Sequence, residues 1–233
     1  MNSTSISHLP ARLIATIITL ALISTSLAGG PKPRTMPVQS HAFGKTYAEW
    51  SAAWWQWALS IPSDHHPLTD TADCSTGQSG PVWFLGGYFG STTAARHCNI
   101  PPGKALFFPI LNVECSTLEP PPFYGSNEQE LSDCAKSFVD PAVNLFAEID
   151  GVAVRNLGQY RTQSPLFSFS VPEPNVLFVA GPAIGQSVSD GYYLLVPPLP
   201  VGEHTLHFGG TFPQFDFTID VTYNITVVAP AAE

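Results

Sequence analysis

The segment FDFTIDVTYNITVV, residues 215–228, alternates apolar and polar side chains without a break. Every second residue from Phe215 to Val227 is aromatic or β-branched, and the residues between them are Asp, Thr and Asn. A period of two over this length indicates a β-strand with one face on a core and the other in water. Such a strand needs paired neighbours and a second layer to bury its apolar face. The segment therefore predicts a layered β fold.

Further strand candidates follow at close spacing, separated by many of the chain's 23 prolines and 18 glycines. They are PVWFLGG from 81, KALFFPIL from 104, AVNLFAEIDGVAV from 142, PLFSFSV from 165, NVLFVAG from 175, and the strand-turn-strand segment DGYYLLVPPLPVGEHTLHFGG from 190. We predict a mainly β fold, an antiparallel Greek-key or jelly-roll-like sandwich. Its carboxy-terminal half, from about residue 142, is expected to be immunoglobulin-like.

Residues 44–62, GKTYAEWSAAWWQWALSIP, hold four tryptophans within eight positions and predict an amino-terminal helix. Thr46 and Glu49 have the spacing of a capping box, and Pro62 disfavours helical geometry at the residue before it. A second short helix is expected over 126–140, with Ser126 and Gln129 as its capping pattern.

The tryptophans of the first helix divide into two groups when they are placed at 100° per residue. Trp50, Trp54 and Trp57 share one apolar stripe, which is typical of a helix packed on a sheet, so we expect them in the core. Trp55 falls outside that stripe, and we predict that its ring is exposed.

The first 28 residues have the layout of a secretory signal peptide. Arg12 precedes an apolar run over 13–23, which is shorter than the ~20 residues of a membrane span, and Ala28 closes a small-residue cleavage motif. We expect a flexible leader over 29–41, a single β-sandwich domain over 42–233, and no membrane span after cleavage. A sub-boundary near residue 141 stays open.

An even number of cysteines in an exported chain predicts two disulfides. We favour Cys74–Cys98 and Cys115–Cys134, which close short, sequential loops. A metal site is disfavoured because the chain contains no C-x-x-C pair. The expected location is secreted, periplasmic or extracellular.

The charge balance argues against nucleic acid as a partner. Without residues 1–28 the chain keeps 8 basic and 18 acidic residues, a net charge of −10. A chain with this charge does not attract the phosphates of a nucleic-acid backbone. We find no phosphate loop, EF-hand or dinucleotide fingerprint, so no cofactor and no metal are expected.

The favoured function is a non-catalytic binding or structural role, with an extracellular glycan or envelope component as the partner. Carbohydrate-binding sites use exposed aromatic rings, and the candidates are Trp55, Phe123 and Tyr124. Phe123 and Tyr124 lie in the proline-rich loop LEPPPFYGS between Cys115 and Cys134, which a disulfide would hold in place. The alternative is that both rings simply cover a sheet edge.

The alternative function is a secreted hydrolase that uses a pair of carboxylates. Glu114, Glu148 and Asp150 lie near predicted strand ends, where any two of them can face each other, and Glu114 is the first acid to test. No nucleophile motif accompanies them: GQSG around Ser79 is not a G-x-S-x-G elbow.

Four segments carry a resemblance to a known group: GKTYAEWSAAWWQWALSIP, GQSGPVWFLGG, CNIPPGKALFFPILNVEC and LPVGEHTLHFGG. Together they resemble a group of exported bacterial proteins of unknown function that share a GKxYxEWxxxWWQW helix and a carboxy-terminal β-sandwich. The resemblance covers most of the chain after the signal peptide. It implies an exported bacterial origin and implies no activity, ligand or site.

Overall fold

The structure is a computed structural model that describes residue 1 and residues 35–69, 73–89 and 93–228. The predicted signal peptide, apart from its first residue, and the leader up to residue 34 lie outside the described residues. The segment Lys32–Glu233 forms one compact unit. In the described part of the chain, no helix has both the length and the apolar character needed to cross a membrane.

The described residues contain ten strands and two α-helices. The strands are β1 Val82–Phe84, β2 Ala94–Ile100, β3 Ala105–Ser116, β4 Val143–Ile149, β5 Val152–Ala153, β6 Arg161–Gln163, β7 Phe167–Val171, β8 Ala183–Val196, β9 Gly202–Phe212 and β10 Phe217–Val227, and the helices are α1 Tyr47–Leu59 and α2 Glu128–Val139.

The strands form two sheets, which confirms the predicted mainly β sandwich with few helices. The first sheet has the order β1-β3-β8-β6, with β7 also paired to β8, and the second has the order β2-β10-β9-β4-β5. Two pairings, β1 with β3 and β2 with β10, are parallel, and the others are antiparallel. Each sheet combines strands from before and after residue 141. A boundary there would separate strands that are hydrogen-bonded to each other.

Strand β10 shows the alternation that its sequence predicts. Val221, Tyr223 and Ile225 are buried, and the residues between them are partly exposed. The strand begins two residues later than expected, because Pro213–Phe215 forms a 3-10 turn and Asp216 adopts a left-handed conformation with φ 49°. It pairs with β9 on one side and with β2 on the other, so it lies inside the second sheet.

The tryptophan helix is present as predicted, with its capping box. The Thr46 hydroxyl oxygen accepts the N–H of Glu49 at 3.1 Å, and the Glu49 carboxylate accepts the N–H of Thr46 at 2.7 Å. Trp50, Trp54 and Trp57 are buried. Their indole N–H groups donate to backbone carbonyls at 2.9–3.0 Å, so these rings belong to the core and satisfy their polar atoms.

The prediction that Trp55 is exposed is wrong, because its side chain is only 6% exposed. Its ring packs perpendicular to that of Trp54, with 5.0 Å between ring centroids. Helix α1 contacts β3, β6, β7 and β8. Because several strands surround the helix, more than one 100° stripe of its surface is covered.

The second helix begins at Glu128, and its N-cap lies one position after the predicted one. Asn127 is the N-cap, and its side chain accepts the N–H of Glu130 at 3.1 Å. The Glu130 carboxylate in turn accepts the N–H of Ser126 at 2.8 Å. The capping pattern therefore uses Asn127 and Glu130 instead of Ser126 and Gln129.

The end of the predicted flexible leader is bound to the first sheet. The N–H of Met36 donates to the carbonyl of Leu195 at 2.7 Å, and the Tyr47 hydroxyl donates to the carbonyl of Met36 at 2.6 Å. The Leu195 N–H also donates to the Tyr47 hydroxyl, at 3.1 Å. The ordered domain therefore begins before residue 42.

Both favoured disulfides are confirmed. Cys74 is bonded to Cys98 with 5.8 Å between their Cα atoms, and Cys115 is bonded to Cys134 with 6.1 Å. The first bond ties the loop after α1 to β2, and the second ties the end of β3 to α2. Cross-links of this kind stabilise the fold by restricting the unfolded chain.

His66 is buried in the loop that follows α1. Its Nε2 lies 2.7 Å from the carbonyl oxygen of Ala58, and its Nδ1 accepts the N–H of Leu68 at 3.2 Å. This pattern requires a neutral ring with its proton on Nε2. Burial lowers the pKa of His66 from 6.5 to about 4.

We predict that protonation of His66 destabilises the protein in mild acid. Because the folded pKa lies below the unfolded one, the stabilisation is complete above pH 6.5 and is lost as the pH falls towards 4. Gln can make both hydrogen bonds without titrating. Between pH 7 and 4, the unfolding free energy of the wild type should therefore fall by on the order of 3 kcal/mol more than that of His66→Gln.

The measurement is chemical denaturation at a series of pH values. His97→Gln, at an exposed position of β2, is the matched control and should follow the wild type. Parallel pH curves for the wild type and His66→Gln would contradict the assignment of a buried neutral ring.

Candidate functional site

An open cavity of about 380 Å³ lies where the ends of the two sheets meet. Its wall is mainly aromatic and aliphatic, and its volume is within the usual range for small-molecule sites. The polar side chains in the wall are Asn112, Glu114 and Glu119. We call this feature the aromatic cavity.

Elements from both layers and from α1 form the aromatic cavity. Strand β3 contributes Asn112 and Glu114, and Trp55 of α1 lies in the same wall. On the other layer, β9 ends at Phe212 and β10 begins at Phe217, so the 3-10 turn between these strands completes that side. The apolar side chains at this end of the sandwich therefore line the cavity and do not fill it.

Two carboxyl groups lie together in the cavity wall. The Glu114 side chain is hydrogen-bonded to that of Glu119, and the hydroxyl of Ser187 on β8 donates to Glu114 Oε2 at 2.5 Å. Glu114 is only 4% exposed. Burial and the adjacent negative charge of Glu119 raise the pKa of Glu114 well above its ordinary value, and burial also raises the pKa of Glu119. The pair therefore retains a proton under conditions where exposed carboxyls are ionised.

The loop that carries Glu119 folds back onto the end of β3. The Ser116 hydroxyl donates to the Glu119 carboxylate at 2.9 Å and accepts the N–H groups of Leu118 and Glu119 at 3.3 Å. The N–H of Ser116 donates to the carbonyl of Phe123 at 2.9 Å. The Cys115–Cys134 disulfide attaches this region to α2, so the loop presents Glu119 and Phe123 on a fixed support.

Phe123 serves the cavity and the packing at the same time. Its ring is half-buried and lies 4.8 Å from that of Phe138 on α2 and 6.0 Å from that of Phe215. Phe215 also contacts Phe138, with 5.3 Å between centroids. Phe123 therefore packs against α2 and the turn before β10 and also lines the cavity.

Exposed rings border the aromatic cavity. Phe89, after β1, is 55% exposed, and Phe178, in the loop between β7 and β8, is 93% exposed. The buried Asn175 side chain holds that second loop by donating to the carbonyls of Pro172 and Val179 at 3.0 and 2.9 Å. A held loop that carries an exposed ring is an arrangement typical of a binding surface.

The structure brings some of the predicted site residues together and separates others. Trp55, Phe123 and Glu114 line the aromatic cavity. Tyr124 is 47% exposed and is not part of the described wall. Glu148 is exposed on the second sheet, away from Glu114, so the two do not form a pair.

Sequence reasoning missed Glu119, the partner of Glu114. Ser116 at the end of a strand, with Glu-Pro-Pro beginning three residues later, is a turn signal that could have indicated the fold-back. It also missed the cavity, because Phe212 and Phe217 have the pattern of ordinary core residues. Over the described ranges, no group of three or more His, Cys, Asp and Glu side chains is placed to hold a metal ion.

No family model and no curated protein matches the chain. Among solved structures, similarity is found to a cysteine protease inhibitor from Entamoeba histolytica (13% identity, TM-score 0.23, covering 63% of this chain and 95% of that chain) and to amebosin (11% identity, TM-score 0.19, 64% and 100%). At these scores neither likeness supports an argument about this chain. The resemblance to exported bacterial proteins stays a prediction.

We predict that the acid pair makes the protein less stable as the pH rises. A carboxyl whose folded pKa is raised contributes stability that is complete below the unfolded pKa of 4.5 and is lost as the pH rises through the folded pKa. Glu114→Gln replaces a protonated carboxyl with a neutral group of the same shape. Its unfolding free energy should therefore decline less than that of the wild type from pH 4.5 to 9.

Denaturant titrations across this pH range test the prediction. Glu148→Gln, an exposed carboxyl of β4, is the matched control and should keep the wild-type pH dependence. An identical dependence in Glu114→Gln and the wild type would show that Glu114 is ionised in the folded state.

Proposed function

We propose that this protein is a non-catalytic binding domain whose aromatic cavity holds a small ligand with an apolar body and one polar group. The observation that carries the proposal is the cavity itself, which joins an apolar wall to a small set of polar side chains. Concave, mainly apolar sites with few convergent polar groups and shifted pKa values are the usual form of small-molecule sites. The disulfide-stabilised β-sandwich supplies a rigid frame for it.

The wall chemistry favours an apolar ligand over a glycan. A sugar ring presents hydroxyl groups around its edge, and the described wall offers few side chains to pair with them. Trp55 is buried, so it cannot stack on a glycan at the surface. Carbohydrate binding through Phe123 and Tyr124 remains a hypothesis that a glycan array tests.

A hydrolase is the second candidate, and the Glu114–Glu119 pair is the observation that favours it. Two carboxyls that share a proton form the acid-base unit of aspartic proteases. Glycoside hydrolysis fits less well, because its carboxyls stand about 5 Å or more apart, whereas these two are hydrogen-bonded. Turnover of a bound ligand that is lost in Glu114→Gln would favour this candidate over a binding domain.

The two disulfides are compatible with an oxidising compartment outside the cytoplasm. We place the binding function there, in agreement with the signal peptide expected from the sequence.

We predict that a large side chain placed in the cavity blocks binding. Nile red, an uncharged dye that fluoresces in apolar surroundings, is the probe. Val176, in the cavity wall, is replaced by Trp, and Val113→Phe fills the same space from β3. Each substitution should weaken dye binding by at least about ten-fold, because the new ring occupies the space that the dye needs.

Val201→Trp is the matched control, since this position is 57% exposed in the turn between β8 and β9. It should bind the dye as the wild type does. Equal binding by the wild type and both cavity variants, with folding verified by circular dichroism, would refute the proposal that the cavity is the binding site.

A further inference from the structure

The aromatic cavity contains acidic groups and no basic one within the described part of the chain. Glu114 and Glu119 lie in its wall, and no Lys, Arg or His side chain is among the residues that line it. The groups closest to the acids are hydroxyls: Ser187 donates to Glu114, and Ser116 donates to Glu119. A buried carboxylate without a positive partner is costly, so one negative charge of this pair is suppressed by its surroundings.

Other titratable groups on the neighbouring elements do not neutralise the pair. On β8, Asp190 forms an ion pair at 3.0 Å with Arg161 of the neighbouring strand β6. Tyr193 on β8 stays protonated, because burial raises its pKa to about 12. Among the charged groups, Glu119 is the one that acts on Glu114.

Resting on the proposed function, we infer that the ligand is an organic cation, a protonated amine on an aromatic or aliphatic body. Its ammonium group brings the positive charge that the pair lacks and donates hydrogen bonds to the two carboxylates. Its apolar body contacts the rings of Phe123, Phe215 and Phe217. The faces of such aromatic rings also attract the positive charge of the ammonium group.

Trp55 has a loosely held donor in the same wall. It lines the cavity and is more than nine-tenths buried, and its indole N–H makes no hydrogen bond of standard geometry but interacts with the hydroxyl of Tyr193. The other three tryptophans of α1 all donate to backbone carbonyls at 2.9–3.0 Å. A buried donor without a well-placed partner is uncommon in a packed core, so this wall differs from the packing around the rest of the helix.

The proton balance separates a cation from a neutral ligand. An ammonium favours ionised carboxylates, so its binding shifts the proton equilibrium of Glu114 and Glu119 towards release to solvent. Binding of an amine therefore strengthens as the pH rises. A neutral ligand that accepts a hydrogen bond needs the protonated acid, so its binding weakens as the pH rises. An anionic ligand meets two acids and is rejected, and the net charge of the whole chain, −9, adds to that rejection.

Three matched pairs of probes test the inference by calorimetry: phenylethylamine with phenylethanol, naphthylethylamine with naphthylethanol, and decylamine with decanol. At pH 7.5 at least one amine should bind at least about ten-fold tighter than its alcohol, and it should bind tighter at pH 7.5 than at pH 5. Glu114→Gln should abolish the preference for the amine. Glu119→Gln is the second variant, should the first fail to fold. Glu148→Gln, outside the cavity, should retain the preference.

The outcomes distinguish this inference from the proposed function. If the alcohols bind as tightly as the amines, or if amine affinity does not rise with pH, the ligand is not a cation while the cavity still binds. If the amines bind better and Val176→Trp does not weaken them, the cation site lies elsewhere and the inference is overturned. If no probe and no Nile red binds, the proposed function fails and this inference fails with it.

Discussion

The antiparallel ladder between β3 and β8 supports nearly every feature described above. On one face it stacks Phe107 on Tyr193, with 5.4 Å between centroids, beneath the tryptophan helix. At its far end the same register places Glu114 opposite Ser189 and beside Ser187, whose hydroxyl holds the buried carboxyl. A shift of one residue would turn these side chains to opposite faces. The core and the acid pair therefore depend on one pairing.

Local sequence patterns predicted the helices and strands well. The arrangement of the cavity residues depends instead on packing between segments that are distant in the sequence. The alternation of β10, the cap at Thr46 and the burial of Trp54 follow from periodicity and hydrogen bonding within short segments. The prediction for Trp55 was wrong because its burial depends on strands that are distant in sequence, which helical periodicity cannot report. Glu119 was missed for a related reason: its contact with Glu114 arises from a turn built by the Ser116 side chain. The disulfide pairing was predictable because short loops favoured it.

Several side chains that line the aromatic cavity also pack the fold. Phe123 and Phe215 contact Phe138 of α2 and also line the space between the layers. Rings anchored in this way keep their orientation whether or not a ligand is present, which reduces the entropy lost on binding. The Cys115–Cys134 bond acts in the same direction, because it restricts the segment that carries Phe123 and Glu119. The fold itself therefore holds this part of the cavity wall in place.

The position of β10 has a consequence for the order in which the chain can fold. This strand comes last in the described sequence, yet it lies between β2 and β9 and bonds to both. A chain that emerges amino-terminus first from a ribosome or a translocation channel therefore cannot assemble the second sheet until residue 227 is free. Folding dominated by such distant contacts is slow, and unpaired strands remain exposed meanwhile. The topology therefore delays completion of the second sheet until β10 is available to pair with both neighbours.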